Sequence, residues 1–135
     1  MRGIVLAGGT GSRLAPLTDK LNKHCLQVGD HPMISWAIKV LRDNGIDDIT
    51  IVSSPSGVGQ LAELLGGGYS YRVQDRPGGI AQALACADDD SDDRVTVILG
   101  DNVFLPVPDL PYRQPAGQWA RCYVREVSDS RISGF

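Results

Sequence analysis

The chain has 135 residues, 42% of them hydrophobic and 21% charged, with a formal net charge of −3 at pH 7. This length suits one domain around one core, and the composition is that of an ordinary globular protein. The acidic balance argues against general binding to nucleic acid or anionic membranes, which needs a basic surface, so any anion site must be local.

The cysteines and the amino terminus bear on the compartment. Cys25, Cys86 and Cys122 lie far apart, without a C-x-x-C pair or a metal-ligand spacing, and we interpret them as free thiols. An apolar run begins almost at the first residue, which leaves no room for the charged and apolar regions of a secretion signal. No apolar run approaches the ~20 residues that span a bilayer. The sequence therefore predicts a cytoplasmic protein.

Short apolar runs typical of buried strands alternate along the chain with segments of helical period. The strand-like runs are "GIVLA" (3–7), "DITIV" (48–52), "YSYRVQ" (69–74) and "RVTVIL" (94–99). The helical segments place apolar residues at Ile34, Ala37, Ile38 and Leu41, at Val58, Leu61, Ala62 and Leu65, and at Ile80, Ala83, Leu84 and Ala87. This alternation predicts a parallel sheet with helices on both faces, in the order β-α-β-α-β-α-β.

The pattern changes after Leu99. The run "PVPDLPYRQP" (106–115) contains four prolines, so it can be neither a helix nor a central strand, and we expect a surface loop. The run "QWARCYVREV" (118–127) is strand-like, but no helical segment follows it. Because a doubly wound domain normally covers its last strand, we expect the chain to be a fragment or to be completed by another segment.

In an open parallel sheet, ligands bind beyond the carboxyl ends of the strands, so the loop "GGTGSR" after the first strand is a candidate site. Gly8, Gly9 and Gly11 allow successive backbone amides to point inward as an anion-binding nest beside a helix amino terminus. Arg13 can hold phosphate oxygens with its planar fork, and Lys23 adds a point charge. The loop predicts a polyphosphate site; a glycine turn beside two solvated cations is the alternative.

The ends of the third and fourth strands supply further polar groups. Asp101 in "ILGDN" suits Mg²⁺, which prefers one or two carboxylates together with substrate phosphates; an Asx turn or helix cap is the alternative. Gln74 and Gly79 in "QDRPGG" offer an amide that can recognise a base edge and a place where a base can lie against backbone. The alternative for this stretch is a polar turn.

Three other features have weaker functional interpretations. The run "GVGQLA" (57–62) matches G-x-G-x-x-A, but "SPS" separates it from the strand, so we favour a loop and helix cap over a dinucleotide site. The acidic run "ADDDSDD" (87–93) lacks the glycine and distal glutamate of a calcium loop, and we expect a solvated helix end and turn. His24 and His31 have no ligand spacing, and we expect surface roles for both.

Three motifs in order resemble those of the sugar-1-phosphate nucleotidylyltransferases, and in particular the glucose-1-phosphate thymidylyltransferases. The motifs are "GIVLAGGTGSRLAPLT" with the lysine that follows it, "VQDRPGGIAQAL" and "LGDN". The resemblance implies a Rossmann-like α/β nucleotidyltransferase fold. It also implies transfer of a nucleotidyl group from a nucleoside triphosphate to a sugar 1-phosphate, with release of pyrophosphate and with Mg²⁺ as cofactor.

The resemblance implies a role for individual residues. Arg13, Lys23 and Asp101 fall on the family's catalytic positions, and Asp101 also falls on a metal-binding aspartate. The remaining motif residues fall on nucleotide-binding positions. These are Leu6, Ala7, Gly8, Gly9, Thr10, Gly11, Gln74, Pro77, Gly79 and Asn102.

The chain departs from the family pattern in two places and in length. Gln27 stands where the family usually has a proline, and His31 stands where it usually has a lysine. Family members are about twice as long, beyond ordinary single-domain size. We therefore expect residues 1–135 to be the nucleotide-binding part of the domain, ending before the sugar-binding part and a second metal-binding aspartate.

The expected substrates are dTTP or UTP and glucose 1-phosphate. The alternative function is a non-catalytic nucleotide-binding or regulatory module that lacks the sugar half. Family members commonly assemble, and an uncovered last strand would invite a partner, so a homo-oligomer is left open.

Overall fold

The computed structural model of the chain describes residues 1–9, 11–89, 94–110, 117–118 and 120–122. Its strands are β1 (Arg2–Leu6), β2 (Gln27–Val28), β3 (His31–Pro32), β4 (Ile49–Ser53), β5 (Ser70–Val73) and β6 (Val95–Leu99). Its helices are α1 (Met33–Asp43), α2 (Pro55–Leu65) and α3 (Gly79–Ala87), and two 3-10 turns cover Ser12–Leu14 and Lys23–Cys25. The predicted alternation of four strands and three helices is confirmed.

The four longer strands form one parallel sheet in the order β5-β4-β1-β6. The register places Leu6, at the end of β1, beside Val52 of β4 and Leu99 of β6. Since all four strands run in the same direction, the loops that follow them leave from one edge of the sheet. This is the edge at which the sequence predicts a ligand site.

Helices cover both faces of the sheet, as the sequence predicts. Side chains alternate along β1, so Val5 belongs to the core under α1 and α2, whereas Ile4 and Leu6 belong to the core under α3. The larger core also contains Ile34, Ala37, Ile38, Val40, Leu41, Ile46, Ile49, Ile51, Leu61 and Ile98. The smaller core also contains Val52, Ala83 and Ala87. The fold is therefore α/β with a doubly covered parallel sheet.

Helix α2 begins at a proline that follows a serine cap. The Ser54 hydroxyl accepts a hydrogen bond from the Gly57 backbone N–H at 3.2 Å, and Pro55 occupies the first helical turn. The helix ends at Gly66, whose φ of 72° favours glycine. The run 57–62 consequently lies inside α2, so the expectation of a loop there is wrong.

Two features of the sheet differ from the sequence-based expectations. β5 and β6 are the outer strands of the sheet that the described residues form, and apart from Ile98 their side chains are not buried. Val73, Val95, Val97 and Leu99 are each more than a third exposed. The antiparallel hairpin of β2 and β3 was not predicted, because two-residue strands show no usable periodicity.

The proline-rich run is described over 106–110, where it forms neither helix nor strand, as expected. Its Val107 and Leu110 side chains pack against the larger core, so this segment is anchored rather than wholly on the surface. Residues 111–115 lie outside the described part of the chain. Of the strand-like run 118–127, the described residues 118 and 120–122 lie in no strand.

The remaining expectations concern the acidic run and the cysteines. The run 87–93 begins at the last residue of α3 and continues through Asp88 and Asp89, both exposed; residues 90–93 lie outside the described part. All three cysteines are free thiols. Among the described residues, no helix has the length and apolar character needed to cross a membrane.

Two glycine-to-alanine substitutions test the packing of α1 against β1. A Cβ at Gly3, in the middle of the sheet, would lie 2.7 Å from Leu41 Cδ1, so Gly3→Ala should destabilise the fold by about 1–3 kcal/mol. Gly59 lies in α2 with open space around its Cβ position, so Gly59→Ala should be neutral or stabilise by up to about 1 kcal/mol. Urea denaturation measures both free energies of unfolding. Equal effects of the two substitutions would contradict this packing.

Candidate functional site

A cavity of about 320 Å³ opens at the carboxyl edge of the sheet. Its lining combines apolar side chains, glycine backbone and a small set of polar groups. The lining residues are Leu6, Gly8, Gly9, Lys23, His24, Gln74, Pro77, Gly79, Ile80, Ala83, Leu99 and Asp101. Loops after β1, β5 and β6 and the amino-terminal half of α3 therefore meet at one site, as expected for a parallel sheet.

The glycine loop allows two polar side chains to approach its backbone closely. A Cβ at Gly8 would overlap the Gln74 Oε1 atom. A Cβ at Gly9 would lie 3.1 Å from Lys23 Cε and 3.2 Å from Lys23 Nζ. Gly11 is left-handed, with φ 67°, and a Cβ there would lie 3.1 Å from Lys23 Cβ. The glycines thus make room for Lys23 and Gln74 beside the loop.

Lys23 and Asp101 form an ion pair at the cavity wall, with 2.5 Å between Lys23 Nζ and Asp101 Oδ2. Lys23 lies on the second 3-10 turn and Asp101 lies just after β6, so the pair joins distant parts of the sequence. Partial burial disfavours ionisation of Asp101, but the hydrogen bond and charge of Lys23 outweigh it and lower the pKa of the carboxyl. The carboxylate is therefore held ionised and is 37% exposed at the cavity.

His24 is buried near the ion pair, with 1% of its surface exposed. Its Nδ1 atom lies 2.8 Å from Asn22 Oδ1, and a Cβ at Gly100 would lie 2.8 Å from His24 Cδ2. Burial, and secondly the charge of Lys23, lower the pKa of His24 to about 4, while Asp101 acts in the opposite direction. The ring is neutral near pH 7. The expected surface role is wrong for His24, whereas His31 is exposed as expected.

Gln74 has a fixed amide orientation at the cavity. It is 8% exposed, and its Nε2 donates hydrogen bonds to Gln82 Oε1 at 2.6 Å and to the Gly79 carbonyl at 3.3 Å. The Gln82 Nε2 in turn lies 3.6 Å from Cys86 Sγ. Gln82 thus orients the nitrogen of Gln74 toward α3 and leaves its oxygen toward Gly8.

The structure gathers most, but not all, of the predicted site residues around the cavity. Those in the lining are Leu6, Gly8, Gly9, Lys23, Gln74, Pro77, Gly79 and Asp101. Ala7 is fully buried in the larger core, Gly11 and Asn102 lie within two residues of lining residues in sequence, and Arg13 is exposed on the first 3-10 turn. Thr10 lies outside the described residues.

Sequence reasoning did not assign His24, Ile80, Ala83 and Leu99 to the cavity. The helical period places Ile80 and Ala83 on one face of α3, and Leu99 is the last residue of a predicted strand. The sequence pattern could therefore have assigned these three residues to the cavity. The His24 ring packs closely against Gly100, which comes from a distant part of the sequence, so no local pattern indicated its burial.

The polar groups fit a magnesium ion that arrives with phosphates. Asp101 contributes one carboxylate to the cavity. Among the described residues, no group of three His, Cys, Asp or Glu side chains could hold a metal by itself. Because Mg²⁺ is commonly held by one or two carboxylates together with substrate phosphates, Asp101 could be a protein ligand of such an ion.

The chain is similar to a known protein family and to known enzymes. A family model described as nucleotidyl transferase matches residues 2–114. The glucose-1-phosphate thymidylyltransferase of Neisseria meningitidis serogroup A is 41% identical over an alignment of 111 positions, which covers 77% of this chain and 38% of that protein. The glucose-1-phosphate thymidylyltransferase of an Actinoplanes species is 38% identical over an alignment of 142 positions, gaps included, which covers 100% of this chain and 47% of that protein.

A comparison with solved structures gives the same relationship. A crystal structure described as that of a glucose-1-phosphate thymidylyltransferase from Bacillus anthracis, in complex with sucrose, matches with a TM-score of 0.73 and 50% identity. The match covers 77% of this chain and 45% of that one. The chain thus covers less than half the length of each of these three relatives.

We expect His24 to make the folded state sensitive to mild acid. Its pKa falls from 6.5 to about 4 on folding, so between these values the unfolded chain binds a proton that the folded chain does not. The free energy of unfolding should therefore decrease by about 3 kcal/mol as the pH falls through this range. Urea denaturation at several pH values measures this slope.

Two histidine variants provide the comparison. His24→Gln should flatten the slope, whereas His31→Gln, which changes an exposed residue of the β2–β3 hairpin, should leave it as it is. An unchanged slope in the His24 variant would show that the acid sensitivity comes from other groups.

Proposed function

The chain belongs to the nucleotidyl transferase family, and on that premise we propose that its cavity holds a nucleoside triphosphate for transfer to a sugar 1-phosphate. More specifically, the nucleotide is dTTP or UTP, the sugar 1-phosphate is glucose 1-phosphate, and the products are a nucleotide sugar and pyrophosphate. The observation that carries it is the meeting of Lys23 and Asp101, 2.5 Å apart, against the glycine loop at the strand ends.

The phosphates would lie along the glycine loop. Gly8 and Gly9 line a cavity that Lys23 also lines, and backbone amides together with a cation would suit phosphate oxygens there. Arg13, on the turn that directly follows the loop, adds a guanidinium near the same end of the sheet. The site can thus concentrate positive charge locally in a chain whose net charge is −3.

Asp101 would hold Mg²⁺ together with the phosphates. When bound, this ion neutralises developing charge on the phosphate oxygens. In the structure the Asp101 carboxylate instead pairs with Lys23. Nucleotide binding gives both groups new partners, since Lys23 can move to phosphate oxygen while Asp101 keeps its charge for the cation. Without a ligand, each side chain therefore neutralises the other's charge. On binding, Lys23 exchanges this partner for phosphate oxygen and Asp101 exchanges it for the cation.

The reaction needs no general base from the protein. A sugar phosphate has a second pKa of about 6, so its attacking oxygen is already ionised near neutral pH. That oxygen forms a bond to the α-phosphorus while the bond from the α-phosphorus to the bridging oxygen breaks, and pyrophosphate leaves with that electron pair. His24 is buried and neutral, which suits packing rather than proton transfer. The remaining work is in-line positioning and stabilisation of charge.

Gln74 would recognise the base. With both Nε2 hydrogens bonded to Gln82 and Gly79, the amide presents its oxygen as a defined acceptor, which suits the N–H of the imide edge of thymine or uracil. This edge has an N–H between two carbonyl groups, whereas cytosine has an acceptor nitrogen at the corresponding position. Ile80 and Pro77 add apolar surface on which a base can lie. These contacts support dTTP or UTP over CTP.

A second candidate function is a nucleotide-binding or regulatory module without turnover. The observation that favours it is that the lining groups Lys23, Gln74 and Asp101 suit a nucleotide and its cation, which binding alone would use. The two candidates share the nucleotide site and differ in the release of pyrophosphate.

Two matched pairs of charge substitutions test the phosphate and metal roles. Lys23→Ala and Asp101→Asn should weaken dTTP binding in Mg²⁺ by about 10- to 100-fold, because each removes a charged partner of the nucleotide. Lys39 and Asp43 form a similar pair at 2.7 Å on α1, away from the cavity, so Lys39→Ala and Asp43→Asn should leave binding unchanged. Titration calorimetry of the purified chain measures each affinity. Equal losses in both pairs would contradict the site.

Pyrophosphate release separates the two candidate functions. The purified chain is incubated with glucose 1-phosphate, Mg²⁺ and dTTP, UTP, ATP, CTP or GTP in turn. Release above background that Arg13→Ala or Asp101→Ala abolishes would support the transferase, and nucleotide binding without release would support the module. The absence of both binding and release would overturn the proposed nucleotide site.

The base preference can be tested at Gln74. In the wild-type chain, dTTP and UTP should bind more tightly than CTP, and Gln74→Ala should lower dTTP affinity about tenfold, the loss of one good hydrogen-bonding group. Gln27→Ala, on the exposed β2–β3 hairpin, is the control and should change nothing. Retention of the full preference for dTTP in the Gln74 variant would exclude Gln74 as the base-recognition residue.

A further inference from the structure

The segment that carries Lys23 is bonded to parts of the fold far away in sequence. The Asn22 backbone N–H donates a hydrogen bond to Gln60 Oε1 on α2 at 2.6 Å, and Asn22 Nδ2 donates to Ser53 Oγ at the end of β4 at 3.2 Å. Gln60 Nε2 donates to the Lys20 carbonyl at 3.2 Å. Residues 20–24, which we term the lysine segment, are thus held against the first turns of α2.

Asn22 also fixes the local conformation around Lys23. Its Oδ1 accepts a hydrogen bond from the His24 backbone N–H at 2.9 Å and lies 2.8 Å from His24 Nδ1. These contacts cap the 3-10 turn that contains Lys23. Asn22 therefore determines both where the lysine segment lies and how its backbone turns.

Close packing against the lysine segment explains why position 57, the first of the run 57–62, is a glycine. A Cβ at Gly57 would overlap both Ser53 Oγ and Asn22 Nδ2, so a larger residue would separate α2 from the lysine segment. Ser53 Oγ itself donates to the Ala7 carbonyl at 2.7 Å, which ties the same contact to the end of β1. The run 57–62, which resembles a dinucleotide-binding motif, therefore packs against the lysine segment through Gly57.

We propose that Asn22 is a positioning residue, which holds Lys23 in place for phosphate through its bonds to Ser53, Gln60 and His24. This inference rests on the proposed function, because it takes Lys23 as the phosphate-binding cation. A lysine side chain is a flexible stem of four carbons, and it loses conformational freedom when its ammonium is fixed. Fixing the backbone beneath it before the ligand binds reduces the ordering that binding must bring about.

A double-mutant cycle between Asn22 and Lys23 tests the proposal. Affinity for dTTP in Mg²⁺ is measured for the wild-type chain, Asn22→Ala, Lys23→Ala and the double variant. In the presence of Lys23, Asn22→Ala should weaken binding about tenfold. In the Lys23→Ala background the same change should alter affinity less than about twofold, because Asn22 then has no cation to position. A residue with only a structural role would give equal losses in both backgrounds.

Asn44 provides a matched control. Its side chain also takes part in three hydrogen bonds, donating to the carbonyls of Val40 and Pro108 at 2.8 Å and 3.0 Å and accepting from the Leu110 N–H at 2.7 Å. It lies at the end of α1 and does not line the cavity. Asn44→Ala should lower the free energy of unfolding as Asn22→Ala does, yet leave dTTP affinity unchanged.

A second variant keeps the test decisive if Asn22→Ala does not fold. Gln60→Ala removes the bond to the Asn22 backbone N–H and leaves the lysine segment's own residues intact. It should weaken dTTP binding about threefold, and again only when Lys23 is present.

The outcomes separate the two levels of the proposal. If Lys23→Ala leaves dTTP affinity unchanged, the proposed phosphate role of Lys23 is overturned and the positioning role with it. If Lys23→Ala weakens binding but the Asn22 and Gln60 variants do not, or weaken it equally in both backgrounds, the positioning role alone is overturned.

Discussion

The common direction of the four sheet strands is the constraint on which the site depends. With β1 between β4 and β6 in parallel register, Leu6 and Leu99 end side by side, so the glycine loop and Asp101 leave the sheet as neighbours. An antiparallel neighbour at either position would send its following loop to the opposite edge. The site is therefore assembled from segments that are far apart in sequence, and its integrity requires the intact core beneath it.

The charges at this edge are balanced in the free protein. Lys23 pairs with Asp101, and the buried ring beneath them, His24, stays neutral because burial lowers its pKa. A second cation directly under Lys23 would repel it and weaken its hold on Asp101. Burying a neutral ring therefore preserves one lysine charge and one carboxylate charge at the surface of the cavity, which are the two charges that the proposed metal-bound triphosphate would use.

The periodicity of the sequence was sufficient to predict the sheet, the helices and the edge at which the cavity lies. Those features depend on apolar spacing within single segments, as in Ile34, Ala37, Ile38 and Leu41 of α1. Exposure along β5 and β6 was not predicted, because an apolar run does not reveal whether its strand has neighbours on both sides. The roles of Arg13 and Asp101 were predicted from their residue types at the strand ends and from motif resemblance, and they stay predictions.

The contacts that hold the lysine segment had no signal in the sequence. Asn22 is hydrogen-bonded to Ser53 and Gln60, which lie 31 and 38 positions further along the chain. Single contacts at such separations produce no periodic pattern in the sequence. The glycine pattern of α2 even indicated a different use, since its match to a dinucleotide motif is a match of spacing only. In the fold, Gly57 permits close packing rather than ligand approach.

Amide chemical shifts of the ¹⁵N-labelled chain during titration with dTTP and Mg²⁺ test most directly whether the strand-end cavity is the nucleotide site. We expect saturable shifts to concentrate on the backbone amides of Gly8, Gly9 and Gly79 and on the side-chain amide of Gln74, all at the cavity. Shifts concentrated instead on the first turns of α2, or none that saturate, would contradict the proposed site.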